Sequence, residues 1–114
     1  MPEDCIFCKI IERKIPAKFE FENSDLIAIQ DVNPQAPVHI LIVPKKHIAD
    51  INHITEENRP LVGDLIHRAK EIACQKKVED GYRLVINNGA KAGQSVFHLH
   101  LHLLGGRRMS WPPG

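Results

Sequence analysis

His98-Leu99-His100-Leu101-His102-Leu103-Leu104 is the stretch on which the reading of this chain turns. Successive side chains of an extended strand point to opposite faces, so the three imidazoles share one face and the leucines the other. The leucine face reads as core. A lone strand histidine is ordinarily a half-buried ring with satisfied hydrogen bonds, and three in register need a different account. Same-face neighbours stand about 6.5 to 7 Å apart at their roots, so two adjacent rings can share an ion but three converge poorly on one. The three rings are therefore expected to have separate tasks.

The loop Asn87-Asn88-Gly89-Ala90-Lys91-Ala92-Gly93-Gln94-Ser95 precedes this strand, which is expected to run from Val96 to Leu104. Its glycines and the amides around Gln94 and Ser95 can curl backbone N–H groups around phosphate oxygens. An anion pocket facing a line of histidines follows. Further back, Phe19-Glu20-Phe21-Glu22 alternates with a strand period, Asn23-Ser24-Asp25 turns the chain, and Leu26 to Ile29 returns as a hairpin partner. Asn33-Pro34-Gln35-Ala36-Pro37 reads as a rigid loop before a third strand, Val38 to Val43. Between roughly 58 and 78, apolar residues from Leu61 to Ala73 recur at helical spacing, with Asn58 as cap and Arg59-Pro60 opening the helix. Gly81 is expected to end that stretch, Cys74 to belong to its buried side, and Tyr82 to Ile86 to form a strand. A short apolar turn holding Ile6, Phe7, Ile10 and Ile11 opens the chain. The order β-β-β-α-β-β indicates one antiparallel α+β domain over residues 1–114.

Composition narrows the function. The 114 residues suit a single modest core, and 15 Lys and Arg against 14 Asp and Glu give a formal charge of +1, with no one-signed field for a nucleic-acid backbone or an anionic membrane. No nucleic-acid or membrane partner is expected. The acidic start, Met1-Pro2-Glu3-Asp4, lacks the pattern of a secretory signal, and a soluble cytoplasmic protein is the expectation. Three cysteines make an odd number, which argues against a disulfide framework and leaves metal binding or burial.

The histidine stretch matches the His-φ-His-φ-His-φ-φ signature, φ being apolar, of the histidine triad superfamily. Asp31 through Pro37, Pro44-Lys45-Lys46-His47, Gly93-Gln94-Ser95, Gly105-Gly106-Arg107 and Trp111-Pro112-Pro113-Gly114 further resemble its Hint branch, the histidine triad nucleotide-binding proteins. The resemblance implies a five-stranded antiparallel sheet with one long and one short helix, and hydrolysis of the P–N bond in purine nucleoside 5′-phosphoramidates. Imidazole suits such an attack because its ordinary pKa of ~6.5 leaves it largely neutral near pH 7. The resemblance assigns the attack to His100, with His102 beside it on the phosphate and His39 placed to assist proton transfer. Ser95 is expected to touch the leaving group or phosphate, and Asn87, Gly93 and Gln94 to line the anion site. Asp31 would accept hydrogen bonds from the ribose hydroxyls, while Phe7, Ile10, Ile29 and Val32 would sandwich the base.

Cys5-Ile6-Phe7-Cys8 has the spacing with which two thiolates meet one zinc ion, but this is half a site. The resemblance supplies His47 and His98 as the remaining ligands of a structural zinc, against the alternatives of buried free thiols or a redox pair. It also implies a homodimer formed by the long helix and the Tyr82 to Ile86 strand, with the 105–114 tail, Trp111 included, reaching toward the partner's active site. A dinucleoside polyphosphate hydrolase of the related Fhit branch and a non-catalytic nucleotide-sensing or zinc-binding interaction protein are the competing functions.

Overall fold

The computed structural model describes residues 4–114. Helix α1 (Ile6–Ile11) leads to strands β1 (Phe19–Glu22), β2 (Leu26–Gln30) and β3 (Val38–Pro44), then helix α2 (Arg59–Gln75), β4 (Tyr82–Val85) and β5 (Leu101–Gly105). The strands form one five-stranded sheet in the order β1-β2-β3-β5-β4, and every neighbouring pair is antiparallel.

The period of two in the central strand divides the molecule. Ile40 and Ile42 of β3 pack with Leu101 and Leu103 of β5 against Leu65, Ala69, Ile72 and Ala73 of α2. Leu41 and Val43 point the other way, packing with Ile27 and Ile29 against Phe7, Cys8 and Ile10 of α1. His39 shares the α1 face by the same alternation, and so does His102, which pairs with Leu41 across the β3–β5 ladder. The hairpin before β2 is closed by Asn23, whose Oδ1 accepts the amides of Asp25 and Leu26 at 2.8 and 2.9 Å.

Four expectations need correction. The last strand begins at Leu101, five residues after Val96. Continuing the ladder past the Ile42–Leu101 pair would bring Leu99 opposite Pro44, which has no amide hydrogen to give. Leu99 N–H turns instead to the carbonyl of Ile48 at 2.6 Å. Helix α2 stops at Gln75 rather than near 78, because Lys77 adopts a left-handed φ of 61°, the conformation of a glycine cap. Lys77 N–H then bonds Cys74 O at 3.1 Å and Val78 N–H bonds Ala73 O at 2.9 Å, satisfying the helix's last carbonyls without Gly81. Cys74 is exposed, since the residue after Ala73 lies about 100° further round the helix. Asn58 does occupy the cap position, but its side chain makes no bond to the helix; it accepts the amide of Thr55 at 2.7 Å instead.

Candidate active site and metal centre

On the α1 face the strands and the 87–95 loop enclose a cleft of about 330 Å³. Phe7, Ile10, Ile29 and Leu41 make its apolar wall, while Asp31, Asn87, Gly93, Ser95, His100 and His102 supply polar groups. Ile15, Pro16 and Ala17, whose residue types carry no signal for a site, also line it. Val32 lies at the rim and is 97 % exposed.

His100 is buried, and its Nδ1–H donates to the carbonyl of His98 at 2.7 Å. A carbonyl can only accept, so this bond fixes the tautomer and leaves Nε2 with the lone pair. Burial lowers the His100 pKa, the His98 carbonyl and Asp31 opposing it, and the ring is held neutral. Phe7 packs edge-on against it, with centroids 5.0 Å apart.

His102 belongs to a hydrogen-bond chain with a definite direction. The Gln35 amide donates to His39 Nδ1 at 3.0 Å, so the proton of neutral His39 must sit on Nε2. That Nε2 lies 2.9 Å from His102 Nδ1 and 3.4 Å from Asp31 Oδ2. His102 Nδ1 is therefore an acceptor and its Nε2 carries the hydrogen. Burial, helped by the neighbouring His100 and His39, pushes the His102 pKa down to about 4. Burial also lowers that of His39, with Asp31 opposing. With a backbone N–H on Nδ1, His39 orients His102 but has no free nitrogen to receive a proton, which argues against its expected part in proton transfer.

Asp31 combines a turn role with a place on the cleft wall. Its Oδ1 accepts the Asn33 amide at 2.8 Å, and its half-buried carboxylate faces both His39 and the cleft. In the following loop, Gly89 and Gly93 have φ of 90° and 95°, a region side chains disfavour. The Gln94 amide, expected on the anion site, donates instead to the Gly89 carbonyl at 3.1 Å, and its side chain is buried in the loop's own scaffold. Oε1 accepts Gly89 N–H at 2.8 Å, and Nε2 donates to the carbonyls of Ala49 and Val96 at 2.8 and 3.1 Å. The glutamine shapes the loop that exposes Gly93 and Ser95. Trp111 does not line the cleft of its own chain and is 82 % exposed.

A second cluster lies beneath the first. Cys5, Cys8, His47 and His98 bring one ligand atom each to within 4.8 Å of one another and could hold a metal ion. Cys5 Sγ is 3.3 Å and Cys8 Sγ 3.6 Å from His98 Nδ1, Cys8 Sγ is 3.3 Å from His47 Nδ1, and the two Nδ1 atoms are 3.0 Å apart. Tetrahedral zinc with bonds of about 2.0 to 2.3 Å separates its ligands by roughly 3.3 to 3.8 Å, close to this spacing. His98 Nε2–H donates to the Pro44 carbonyl at 2.8 Å, which directs the Nδ1 lone pair into the cluster. Burial pushes the Cys8 thiol up to about 11, the adjacent Cys5 adding to it. A cation at the centre would reverse that balance by stabilising the thiolates. The donor set thus fits a divalent ion.

Sequence reasoning missed the Gln35 amide, the Pro44 carbonyl and the Arg107 side chain, whose Nε–H donates to Gln35 O at 2.8 Å. The first two are backbone groups and carry no residue-type signal.

The sequence matches the family described as "scavenger mRNA decapping enzyme C-term binding" over residues 4–111. An uncharacterised HIT-like protein of Synechocystis sp. is 55 % identical over 114 residues, covering 100 % of both chains. Among solved structures, a HIT family hydrolase of Legionella pneumophila is 49 % identical with a TM-score of 0.95, covering 97 % of this chain and 100 % of that one. A histidine triad nucleotide-binding protein of Candida albicans is 32 % identical with a TM-score of 0.81, over 96 % of this chain and 83 % of that one. The three histidines, the antiparallel sheet whose last strand they lead into and these likenesses agree: this chain belongs to the histidine triad (HIT) superfamily.

Proposed function

We propose that the protein is a nucleotide hydrolase of the Hint type, cleaving the P–N bond of purine nucleoside 5′-phosphoramidates through a nucleotidyl intermediate on His100. The observation that carries this reading is the His100 tautomer, with Nδ1–H committed to the His98 carbonyl and the Nε2 lone pair left on a ring that lines the cleft.

The base would lie against Phe7, Ile10 and Ile29, and Asp31 would accept the ribose hydroxyls. Asn87, Gly93 and Ser95 would meet the phosphate. His102 Nε2–H would donate to a phosphoryl oxygen, stabilising charge where it accumulates. The bond from His100 Nε2 to phosphorus forms as the P–N bond breaks, its electron pair leaving on an amine that takes a proton from solvent through the Ser95 hydroxyl. Water then attacks the phosphorus and frees His100, giving nucleoside monophosphate and amine as the net products of one water molecule. No polar side chain is required on the base, which fits tolerance among purines.

A zinc ion on Cys5, Cys8, His47 and His98 would be structural: it would neutralise two thiolates and tie α1 to the segment entering β5. A homodimer is part of the same reading. It is supported by the position of β4 at the sheet edge and by the exposure of Trp111, next to Ser110, whose carbonyl accepts from Arg83 of β4 at 2.9 Å.

Brief exposure to an adenosine phosphoramidate followed by intact-mass measurement should reveal one nucleotidyl adduct, absent in His100→Ala. That variant should bind AMP within about tenfold of the parent yet lose at least ~100-fold of turnover. Undiminished turnover would refute the nucleophile. The same attack could open a phosphoanhydride, a reading favoured by the decapping enzyme in the matched family's description. Faster release of AMP from a diadenosine polyphosphate than of amine from the phosphoramidate would select it, and tight nucleotide binding with neither reaction would select a sensor.

A further inference from the structure

Arg107 follows the last strand and lies outside the cleft, yet the chain brings it back over the loop that governs His39. Gly105 ends β5 opposite Val38. Gly106 then turns with φ of 91°, so close to the loop that an added Cβ would stand 3.0 Å from the Cβ of Pro37. This turn lays Arg107 across the Asn33–Pro37 loop, where its Nε–H donates to Gln35 O at 2.8 Å. Its Nη1 donates to the Arg108 carbonyl at 3.0 Å, which anchors the guanidinium in its own tail. Gln35 also fastens itself, its Nε2 donating to Asn33 O at 3.0 Å.

Gln35 is the residue whose amide sets the direction of the chain through His39 to His102. If that amide swung away, His39 Nδ1 could carry the hydrogen, and the ring would then offer a lone pair toward His102. His102 would respond by placing its own hydrogen on Nδ1, leaving a lone pair where the donor to substrate should be. Neither side chain needs to move for this reversal. We propose that Arg107 is a positioning residue: by clamping Gln35 it holds His39, and through it His102, in the tautomers that present an N–H to the cleft. The catalytic consequence rests on the reading of His102 as donor to a phosphoryl oxygen; the tautomer consequence does not.

The test uses the full chain and needs no substrate for its first arm. Ring nitrogens of His39 and His102, assigned by long-range ¹H–¹⁵N correlation, should show the Nε2–H tautomer for both in the parent protein. Arg107→Met should retain the cooperative melt and shift both rings toward mixed tautomers. Arg107→Lys, which can still reach a carbonyl, should restore much of the parent pattern. On the phosphoramidate, Arg107→Met should lower kcat about tenfold while KM stays within about twofold, as for loss of an outer hydrogen bond that aims a working group. Unchanged tautomers in Arg107→Met would overturn the proposal, as would a parent protein with His39 protonated on Nδ1. Should the parent turn over no phosphoramidate, the functional reading fails while the nitrogen shifts still decide the role of Arg107.

Discussion

Two histidine clusters share one face of this sheet, and by inventory they look alike. Cys5, Cys8, His47 and His98 form one; Asp31, His39 and His102 form the other; in each, the potential ligand atoms lie within 4.8 Å of one another. The difference is where the remaining ring nitrogens are tied. In the first, a carbonyl takes the His98 Nε2 hydrogen and leaves Nδ1 facing inward with a lone pair. In the second, an amide occupies the lone pair of His39 Nδ1 and obliges Nε2 to carry hydrogen toward His102. An acceptor outside the ring makes a metal ligand, and a donor outside the ring makes a link in a hydrogen-bond chain. His100 sits between the two, fixed by a carbonyl like His98 but lining the cleft.

The largest effects should separate the clusters cleanly. His102→Ala should lose at least ~100-fold in kcat, the lower range for a group that handles charge or protons in the transition state, with metal content unchanged at about one ion per chain. His98→Ala should show the reverse order of injury: metal lost and the melt lowered, because binding energy at a structural site is folding energy. Metal analysis and calorimetry on both variants check this. Retention of zinc in His98→Ala together with its loss in His102→Ala would exchange the assignments of the two clusters.

How much of this contrast the sequence disclosed follows from what side-chain identity can carry. The apolar run Ile40-Leu41-Ile42-Val43 is visible as residues and reads as a strand. The same holds for the apolar spacing of α2 and the ligand types at Cys5, Cys8, His47 and His98. The start of β5 was not visible, because it depends on a missing amide at Pro44 in a different strand. Nor was the end of α2, where Lys77 takes a left-handed conformation usually given to glycine. Gln94 reads as an anion contact because it follows Gly93 in a loop whose amides can curl around phosphate oxygens, but three side-chain bonds to backbone groups hold it inside. Most of all, the direction of the His39–His102 chain depends on one amide, and every non-proline residue has an amide.

Acid should act on the chain at an unusual pH. His102 stays neutral until about pH 4, and His39 and His100 are shifted in the same direction. Protonated His102 would turn an N–H toward the N–H of His39, so the chain works only while His102 is neutral. The acid limb of kcat/KM should therefore lie well below 6.5, the ordinary histidine value. The sign for stability is the same. Between about pH 6.5 and 4 the unfolded chain binds protons that these buried rings refuse, so stability falls on acidification through that window and is untouched above it. Melting temperatures flat from pH 7 to 8 and declining below 6.5 are expected. A rate profile with its acid midpoint at 6.5 would mean that the histidines are solvated and the chain is not formed.

The mildest perturbation addresses the metal cluster from outside. Of the three cysteines, Cys5 and Cys8 are buried and Cys74 is exposed on α2. A buried thiol committed to an ion reacts slowly with a disulfide reagent, whereas an exposed one reacts freely. The parent should thus show one fast thiol, and chelation should add two more. Cys74→Ser should abolish the fast phase while changing stability by no more than about 0.5 kcal/mol, the usual scale for a surface substitution, with zinc content unaltered. Two fast thiols in the untreated protein would mean that Cys5 or Cys8 is free, and the four residues would not then form a closed metal centre.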